Sequence, residues 1–117
     1  MQYMALIYTD RANEPAYGTP EFGKYVGGYA AATETYRKDG VFVSGDALQN
    51  QGTATTVRVR NGKIETMDGP FAESKEQLGG YYVFDCANLD EAIKYAAMIP
   101  GAALGAVEVR PLMANPT

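Results

Sequence analysis

Residues 68–80, DGPFAESKEQLGG, lie between two strand patterns and separate a hairpin region from a buried-strand region. The segment combines an Asp-Gly-Pro break with Phe71 and several charged side chains. A featureless linker would instead be rich in Ser, Gly and Asn. The composition therefore predicts an ordered loop, and ordered loops on a rigid scaffold often carry function.

Upstream of this loop the sequence predicts a β-hairpin. Residues 53–60 and 63–68 flank Asn61-Gly62, which is the strongest two-residue signal for a tight hairpin turn. The turn sets a register that pairs Val57 with Thr66, Arg58 with Glu65, and Val59 with Ile64. Apolar and polar residues alternate near the turn, and this alternation predicts one buried face and one solvated face.

Two other segments predict strands that are buried on both faces. Residues 3–8 (YMALIY) and 80–85 (GYYVFD) are nearly continuous apolar runs, which is typical of strands covered on both sides. Residues 41–44 predict a further strand, and residues 106–112 predict a closing strand in which apolar and charged residues alternate.

Two helices separate these strands. The first begins at Thr19-Pro20-Glu21, where the threonine is a suitable N-cap and the proline fits the first helical position, and it ends before Gly40. Gly27-Gly28 opposes a helix at about 1 kcal/mol per glycine relative to alanine, and indicates either a close backbone contact or a bend. The second helix is capped by Asn88 and is expected to run to Pro100-Gly101.

The predicted order is strand, helix, strand, hairpin, strand, helix, strand. Without the hairpin this is the βαββαβ pattern of a ferredoxin-like α+β domain. A chain of 117 residues is expected to form one domain, here over residues 1–112, followed by a frayed tail at residues 113–117.

The two-sided apolar strands also bear on assembly. Helices cover only one face of a four-stranded antiparallel sheet, so the second face needs another cover. A second copy of the sheet is the economical solution, which predicts a two-fold homodimer with a sheet-on-sheet core. The alternative is that the hairpin folds back over that face.

Charge and hydropathy restrict the functional classes. The net charge of −4 and the pI of about 4.7 argue against nucleic-acid binding, which requires a basic face, and against an anionic membrane surface. No apolar run approaches the roughly 18 residues that span a bilayer, and the N-terminus lacks a signal-peptide pattern. The sequence therefore predicts a cytoplasmic protein without a membrane or nucleic-acid partner.

The chain contains no histidine and one cysteine. Without histidine the commonest general base and the usual zinc ligands are missing, so any catalysis must use Asp, Glu, Tyr, Lys or Arg. Cys86 has no basic neighbour in the sequence, which argues against a reactive thiolate. No haem, flavin or nucleotide signature occurs, so neither a cofactor nor a metal is predicted.

Asp68 and Glu73 are the candidate catalytic side chains. Asp68 follows a strand, where its carboxylate could face a cleft as an acid, a base or a ligand anchor; the alternative, favoured by the Asp-Gly-Pro composition, is an Asx-type turn. Glu73, Lys75 and Glu76 lie within reach of each other, and they form either a charged pocket wall or a solvated loop with weak ion pairs.

Arg110, Phe71 and Tyr82 complete the candidate ligand-binding set, together with Lys75 and Glu76. Arg110 shares a strand face with Glu108, and it would bind an anionic group if that face lined the dimer interior; an internal Arg–Glu pair or a solvated face is the alternative. Phe71 caps a pocket, contacts a partner or anchors its loop to the core. Tyr82 presents its hydroxyl to a cleft or belongs to the core.

Five segments, in the same order, resemble the DGPF family of YCII-related proteins. They are residues 3–7 (YMALI), 54–58 (ATTVR), 68–80 (DGPFAESKEQLGG), 88–92 (NLDEA) and 107–111 (VEVRP). Met67 and Ser74 stand where members often carry threonine. The resemblance implies a ferredoxin-like fold that assembles as a dimeric α/β barrel with a cleft between sheet and loops. The His-Asp chemistry suggested for the wider group does not carry over to a chain without histidine.

Three functional hypotheses follow. The first is a small-molecule-binding protein or enzyme that uses the barrel cleft, with Asp68 and Glu73 as polar anchors or proton carriers and Arg110 as an electrophilic clamp. The second is a non-catalytic regulatory or interaction module whose loop contacts a protein; the resemblance implies a link to alternative sigma factors, beside which family members are often encoded. The third is a structural dimer without a ligand.

Overall fold

The computed structural model describes residues 1–114, so residues 115–117 of the predicted tail lie outside the described residues. Within this range the helices and strands are β1 (Gln2–Thr9), α1 (Pro20–Lys38), β2 (Phe42–Ala47), β3 (Thr55–Arg60), β4 (Lys63–Asp68), β5 (Gln77–Asp85), α2 (Leu89–Ala96), α3 (Gly101–Leu104) and β6 (Ala106–Pro111). Short 3-10 turns lie at Arg11–Asn13 and Gln51–Thr53.

Four strands form an antiparallel sheet with the spatial order β2-β5-β1-β6. The strands β3 and β4 form a separate two-stranded ribbon, inserted in the chain between β2 and β5. The predicted α+β class is therefore confirmed, and the strand order is compatible with a ferredoxin-like arrangement.

The helices begin where the capping chemistry of the sequence predicts. The Thr19 side chain accepts a hydrogen bond from the backbone N–H of Phe22 at 3.2 Å, and Pro20 occupies the first position of α1. Asn88 caps α2 in the same way and accepts from the N–H of Glu91 at 2.9 Å. Each cap satisfies an N–H group that has no partner within its helix.

The second helix is shorter than predicted. The helix α2 ends at Ala96, and a separate short helix begins at Gly101. Pro100 lies between them, and its ring and missing N–H oppose a continuous helix. The strand β5 is longer than predicted because it begins at Gln77, where its first residues pair with the end of β1 beyond a bulge.

The core lies between the helices and one face of the sheet. Its centre is Tyr36 of α1, whose fully buried ring lies edge-to-face with Phe84 and Tyr82 of β5 at centroid distances of 4.7 and 5.1 Å. The Tyr36 hydroxyl donates to the backbone carbonyl of Tyr95 at 2.7 Å. Such ring pairs contribute about 0.5–1.5 kcal/mol each beyond the area that they bury.

The opposite face of the sheet, here called the open sheet face, carries Met4 and Leu6 of β1 beside Val83 and Tyr81 of β5. On β6, Arg110 and its neighbour Glu108 lie on this face, opposite Met4 and Leu6. The core cluster of the described chain joins the helices to the other face of β1. The predicted burial is thus only partial here, since Met4 and Leu6 remain half-buried.

The hairpin has the predicted register but not the predicted burial. All the expected cross-strand pairs form, and Asn61 and Gly62 adopt the left-handed backbone that the turn requires, at φ 52° and 75°. However, Val59 and Ile64 are 58% and 75% exposed, so the prediction of a buried hairpin face is wrong within one chain. The radius of gyration, 16.2 Å, exceeds the roughly 13–14 Å of a compact domain of this size, because the hairpin projects from the body.

The glycine pair in α1 provides a matched test of helix packing. An added Cβ at Gly28 would lie 2.8 Å from Cγ of Pro100, whereas at Gly27 it would meet nothing within 4 Å. We expect Gly27→Ala to raise the free energy of unfolding by about 0.5–1 kcal/mol through helix propensity. The free energy of unfolding of Gly28→Ala should be about 1–3 kcal/mol lower than that of Gly27→Ala, because the added methyl group overpacks the contact with Pro100. Urea unfolding of both variants measures the difference, and equal stabilities would contradict the close approach.

Candidate ligand-binding cleft

A cavity of about 570 Å³, here called the cleft, lies between α1 and the part of the sheet formed by the edge strand β2 and its neighbour β5. The buried side chains of α1, Ala32 and Tyr36, both belong to the second half of the helix. The first half contributes half-buried aromatic residues, including Phe22 and Tyr25, that form a wall of the cleft instead of filling a core. The cleft therefore exists because only one half of this helix packs closely on the sheet.

The inner part of the cleft carries an ordered pair of hydroxyl groups. The Thr33 hydroxyl donates to the backbone carbonyl of Tyr29 at 2.9 Å and also lies 2.8 Å from the Tyr82 hydroxyl. Threonine has a single hydroxyl proton, and the Tyr29 carbonyl already receives it. The Tyr82 hydroxyl must therefore donate to Thr33, which leaves the oxygen of Tyr82 available as an acceptor.

A second hydroxyl pair lies one and two helical turns earlier on the same helix. The hydroxyls of Tyr25 and Tyr29 are 3.3 Å apart, and their rings meet edge-to-face at 5.3 Å. Burial raises the pKa of Tyr25, and the hydrogen bond to Tyr29 raises it further. Burial is also the main cause that raises the pKa of Tyr29. Both groups are therefore neutral hydroxyls at physiological pH.

A carboxylate is fixed next to these hydroxyls. The Thr9 hydroxyl, at the end of β1, donates to Oε1 of Glu14 at 2.7 Å. Glu14 lines the cleft together with Tyr25 and Tyr29, and its charge contributes to the raised pKa of both tyrosines. A carboxylate beside neutral hydroxyls is able to accept a proton or a hydrogen bond from a bound molecule.

Basic side chains line the outer part of the cleft. Arg11, Arg37 and Lys75 all belong to its lining. The guanidinium of Arg37 stacks on Phe42, with Cζ 5.0 Å from the ring centroid. Over residues 1–114 the ion pair within contact distance is that of the N-terminus with Asp85, at 3.1 Å, so these three cations have no carboxylate partner there.

Two of the sequence-predicted site residues lie in the cleft. Tyr82 forms part of its inner wall, and Lys75 part of its outer wall. Glu73 lies with Lys75 in an adjoining depression next to Gly52 and Pro70. The loop that carries them is organised by Gln77, whose side-chain amide donates to the carbonyls of Ala72 and Ser74 at 3.1 and 2.8 Å.

The remaining candidates lie elsewhere. Asp68 is exposed at the end of β4, opposite Thr55, and Phe71 is 76% exposed on the loop surface. The carboxylate of Glu76 lies beside Gly105, where an added Cβ would be 3.0 Å from its Oε2. Arg110 belongs to the open sheet face, on the side away from the cleft. The structure does not bring these four side chains together.

Several residues that line the cleft were not predicted from the sequence. Tyr25 and Tyr29 recur at helical spacing, which is equally typical of core residues. Glu14 lies in a loop with no motif, and Thr9 is the one polar side chain that is buried among the described residues. A polar residue that ends an otherwise apolar strand is the signal that could have located this site.

Three further findings concern the described residues alone. Over residues 1–114 there is no group of three or more Cys, Asp or Glu side chains arranged to hold a metal ion. Within the same range, no helix has the length and apolar character needed to cross a membrane. Cys86 is buried, and this burial raises the pKa of its thiol, as expected for an unreactive cysteine.

The chain is similar in sequence to one protein family and to a known bacterial protein. A family model described as "YCII-related domain" matches residues 1–115. The chain is also 38% identical, over 114 residues, to an uncharacterised protein of Rhizobium meliloti (strain 1021). That alignment covers 96% of this chain and 92% of the relative, so the similarity extends over both proteins rather than over one motif.

The cleft tyrosines predict a loss of stability at high pH. In the unfolded chain tyrosine titrates near pH 10, whereas burial raises the folded-state pKa of Tyr25 and Tyr29. Their contribution is therefore complete below about pH 10 and is lost as the pH rises through the folded values. Urea unfolding should show that the free energy of unfolding falls less between about pH 8 and about pH 11 in Tyr25→Phe than in the wild type. Tyr17→Phe, at a site 89% exposed, is the control, and equal losses in all three proteins would contradict the prediction.

Proposed function

The chain belongs to the YCII-related family, and on this premise we propose that it binds a small organic molecule in the cleft between α1 and the sheet. The observation that carries this proposal is the set of fixed hydroxyls from Tyr25, Tyr29 and Tyr82 on the cleft wall. Ligand pockets typically enclose about 300–1,000 Å³ and combine apolar walls with a few placed polar groups. The cleft, at about 570 Å³, has both properties.

The lining defines the class of ligand. Aromatic side chains on opposite walls, Phe22 on α1 and Phe42 on β2, suit a flat apolar body. The neutral hydroxyls donate or accept hydrogen bonds from polar substituents on that body. Glu14, held by Thr9, is the candidate proton acceptor for a reaction in this cleft, and Arg37 is the candidate partner for an anionic substituent.

A homodimer in which the open sheet faces meet is part of the proposal. Met4 and Leu6 lie beside the buried Val83 on that face, and a second copy would remove from water the part of Met4 and Leu6 that one chain leaves exposed. This assembly is the dimeric α/β barrel implied by the family resemblance. The cleft lies mainly on the helix side of the sheet, and it adjoins the open sheet face at Tyr81, which belongs to both.

The cleft is tested with phenol, a flat ring that carries one hydroxyl, by ligand-observed NMR titration. Tyr82→Phe removes a cleft hydroxyl, and we expect phenol to bind about two- to tenfold more weakly because one hydrogen bond is lost. Glu14→Gln should weaken binding by a similar factor. The matched control is Glu34→Gln, at an exposed position of α1. Equal affinities in all four proteins would overturn the assignment of the cleft.

The alternative site suggested by the sequence, which consists of Asp68 and Arg110, makes the opposite prediction and is tested in the same titration. If Asp68 and Arg110 hold the ligand, Asp68→Asn and Arg110→Ala abolish binding at an unchanged melting temperature. The cleft proposal expects both variants to bind phenol as the wild type does. Loss of binding in these two variants alone would transfer the site to the loop and the open sheet face.

A second candidate function is a protein-interaction module, and the exposure of Phe71 favours it. A large aromatic side chain on a loop surface is typical of an interaction anchor. Pull-down from the native host with Phe71→Ala should then lose a partner that the wild type retains. Tyr17→Ala, which removes another exposed aromatic side chain, is the control. The same partners in both variants would argue against this function.

A further inference from the structure

The β3–β4 hairpin, residues 55–68 and here called the hairpin arm, presents an apolar face to solvent. Val57, Val59 and Ile64 lie together on this face in the cross-strand register, with exposed fractions of 59%, 58% and 75%. An isolated two-stranded hairpin is at best marginally stable in water, and it needs packing against another element. Over residues 1–114 the extensive contacts of each arm strand are with the other arm strand.

Hydrogen bonds between residues 54–69 also order the base of the arm. The backbone N–H of Gly69 donates to the carbonyl of Ala54 at 2.7 Å, and the Thr56 hydroxyl donates to the carbonyl of Gly69 at 2.8 Å. These bonds close the ribbon beyond the last strand residues. The arm is therefore an ordered ribbon whose apolar face is exposed.

The charge of the arm differs in sign from that of the rest of the chain. The arm carries three basic side chains, Arg58, Arg60 and Lys63, against two acidic ones, Glu65 and Asp68, whereas the whole chain has a net charge of −4. The body is therefore clearly acidic. Opposite charges favour docking of the arm on a second body of this composition and steer the encounter.

We propose that the hairpin arm clasps a second copy of this chain, with its apolar face covering the rim of the partner's open sheet face. The inference rests on the homodimer of the proposed function and names the element that holds it. One chain exposes two apolar surfaces, the arm and the open sheet face. In a two-fold dimer each chain's arm contacts the partner's sheet face, and the symmetry repeats this contact. One type of contact therefore covers both surfaces on both chains, as in other isologous interfaces. The basic tip of the arm, Arg60 and Lys63, would then meet an acidic body.

The arm is tested by the Ile64→Thr variant in sedimentation-velocity experiments over a concentration series. Ile64 is the most exposed apolar residue on the arm face, and we expect the dimer dissociation constant to rise about tenfold or more. Ile93→Thr makes the same chemical change at a half-exposed position on α2, outside both surfaces, and should leave the constant unchanged. Raised salt should also weaken the wild-type dimer, because the arm and the body carry opposite charges.

Hydrogen exchange of the wild type provides a readout that needs no substitution. The amides of residues 57–66 should become more protected as the protein concentration rises through the dissociation constant. A wild-type dimer that is equally tight in Ile64→Thr, or whose arm amides show no concentration dependence, would overturn the clasp while leaving the sheet-face dimer intact. A monomeric wild type would overturn both dimer proposals, and phenol binding would still test the cleft separately.

Discussion

The aromatic contact between α1 and the sheet is the interaction on which the rest of the structure depends. Tyr36 joins the helix to β5 through Phe84 and Tyr82, and to α2 through its bond to the Tyr95 carbonyl. This contact lies near the C-terminal end of α1. The N-terminal half of the helix has no fully buried side chain of its own, and its position is set by the packing of the C-terminal half. The space between this N-terminal half and the sheet is the cleft.

The same layer arrangement produces the unpaired surfaces. Helices fill one side of the four-stranded sheet, so the apolar side chains of β1 that point the other way, Met4 and Leu6, are only half-buried within the described chain. The inserted hairpin does not fold back over them, although the sequence left that possibility open. In the proposed dimer, the ordered arm and the half-buried sheet face of one chain are both covered by the second copy.

Local chemistry made much of the fold predictable. Asn61-Gly62 determines the hairpin register because few other dipeptides adopt two successive left-handed conformations. Thr19 and Asn88 determine where the helices begin because their side chains replace missing backbone partners. The close approach of Gly28 to the Pro100 ring and the packing of the Tyr36 ring on β5 join segments that are distant in the sequence. A pattern of single residues does not contain those contacts.

The functional residues were less predictable than the fold. The charges and glycines of residues 68–80 predicted a functional loop. Of the site residues predicted in this loop, only Lys75 lines the cleft. Tyr82 was a candidate as a strand tyrosine whose hydroxyl either faces a cleft or belongs to the core. Tyr25 and Tyr29 were not, since helical spacing describes a core stripe and a cleft wall equally well. Their role follows from where α1 leaves the sheet, which is a tertiary property.

Native mass spectrometry of the protein purified gently from its own host tests the central claim most directly, with Val26→Trp as the comparison. Val26 belongs to the cleft lining and is half-exposed, so an indole ring at this position would occupy the cleft without replacing a buried core residue. The account predicts a reproducible small-molecule adduct on the wild type and its loss from the variant. An adduct retained equally by both proteins, or absent from both, would contradict a ligand site between α1 and the sheet.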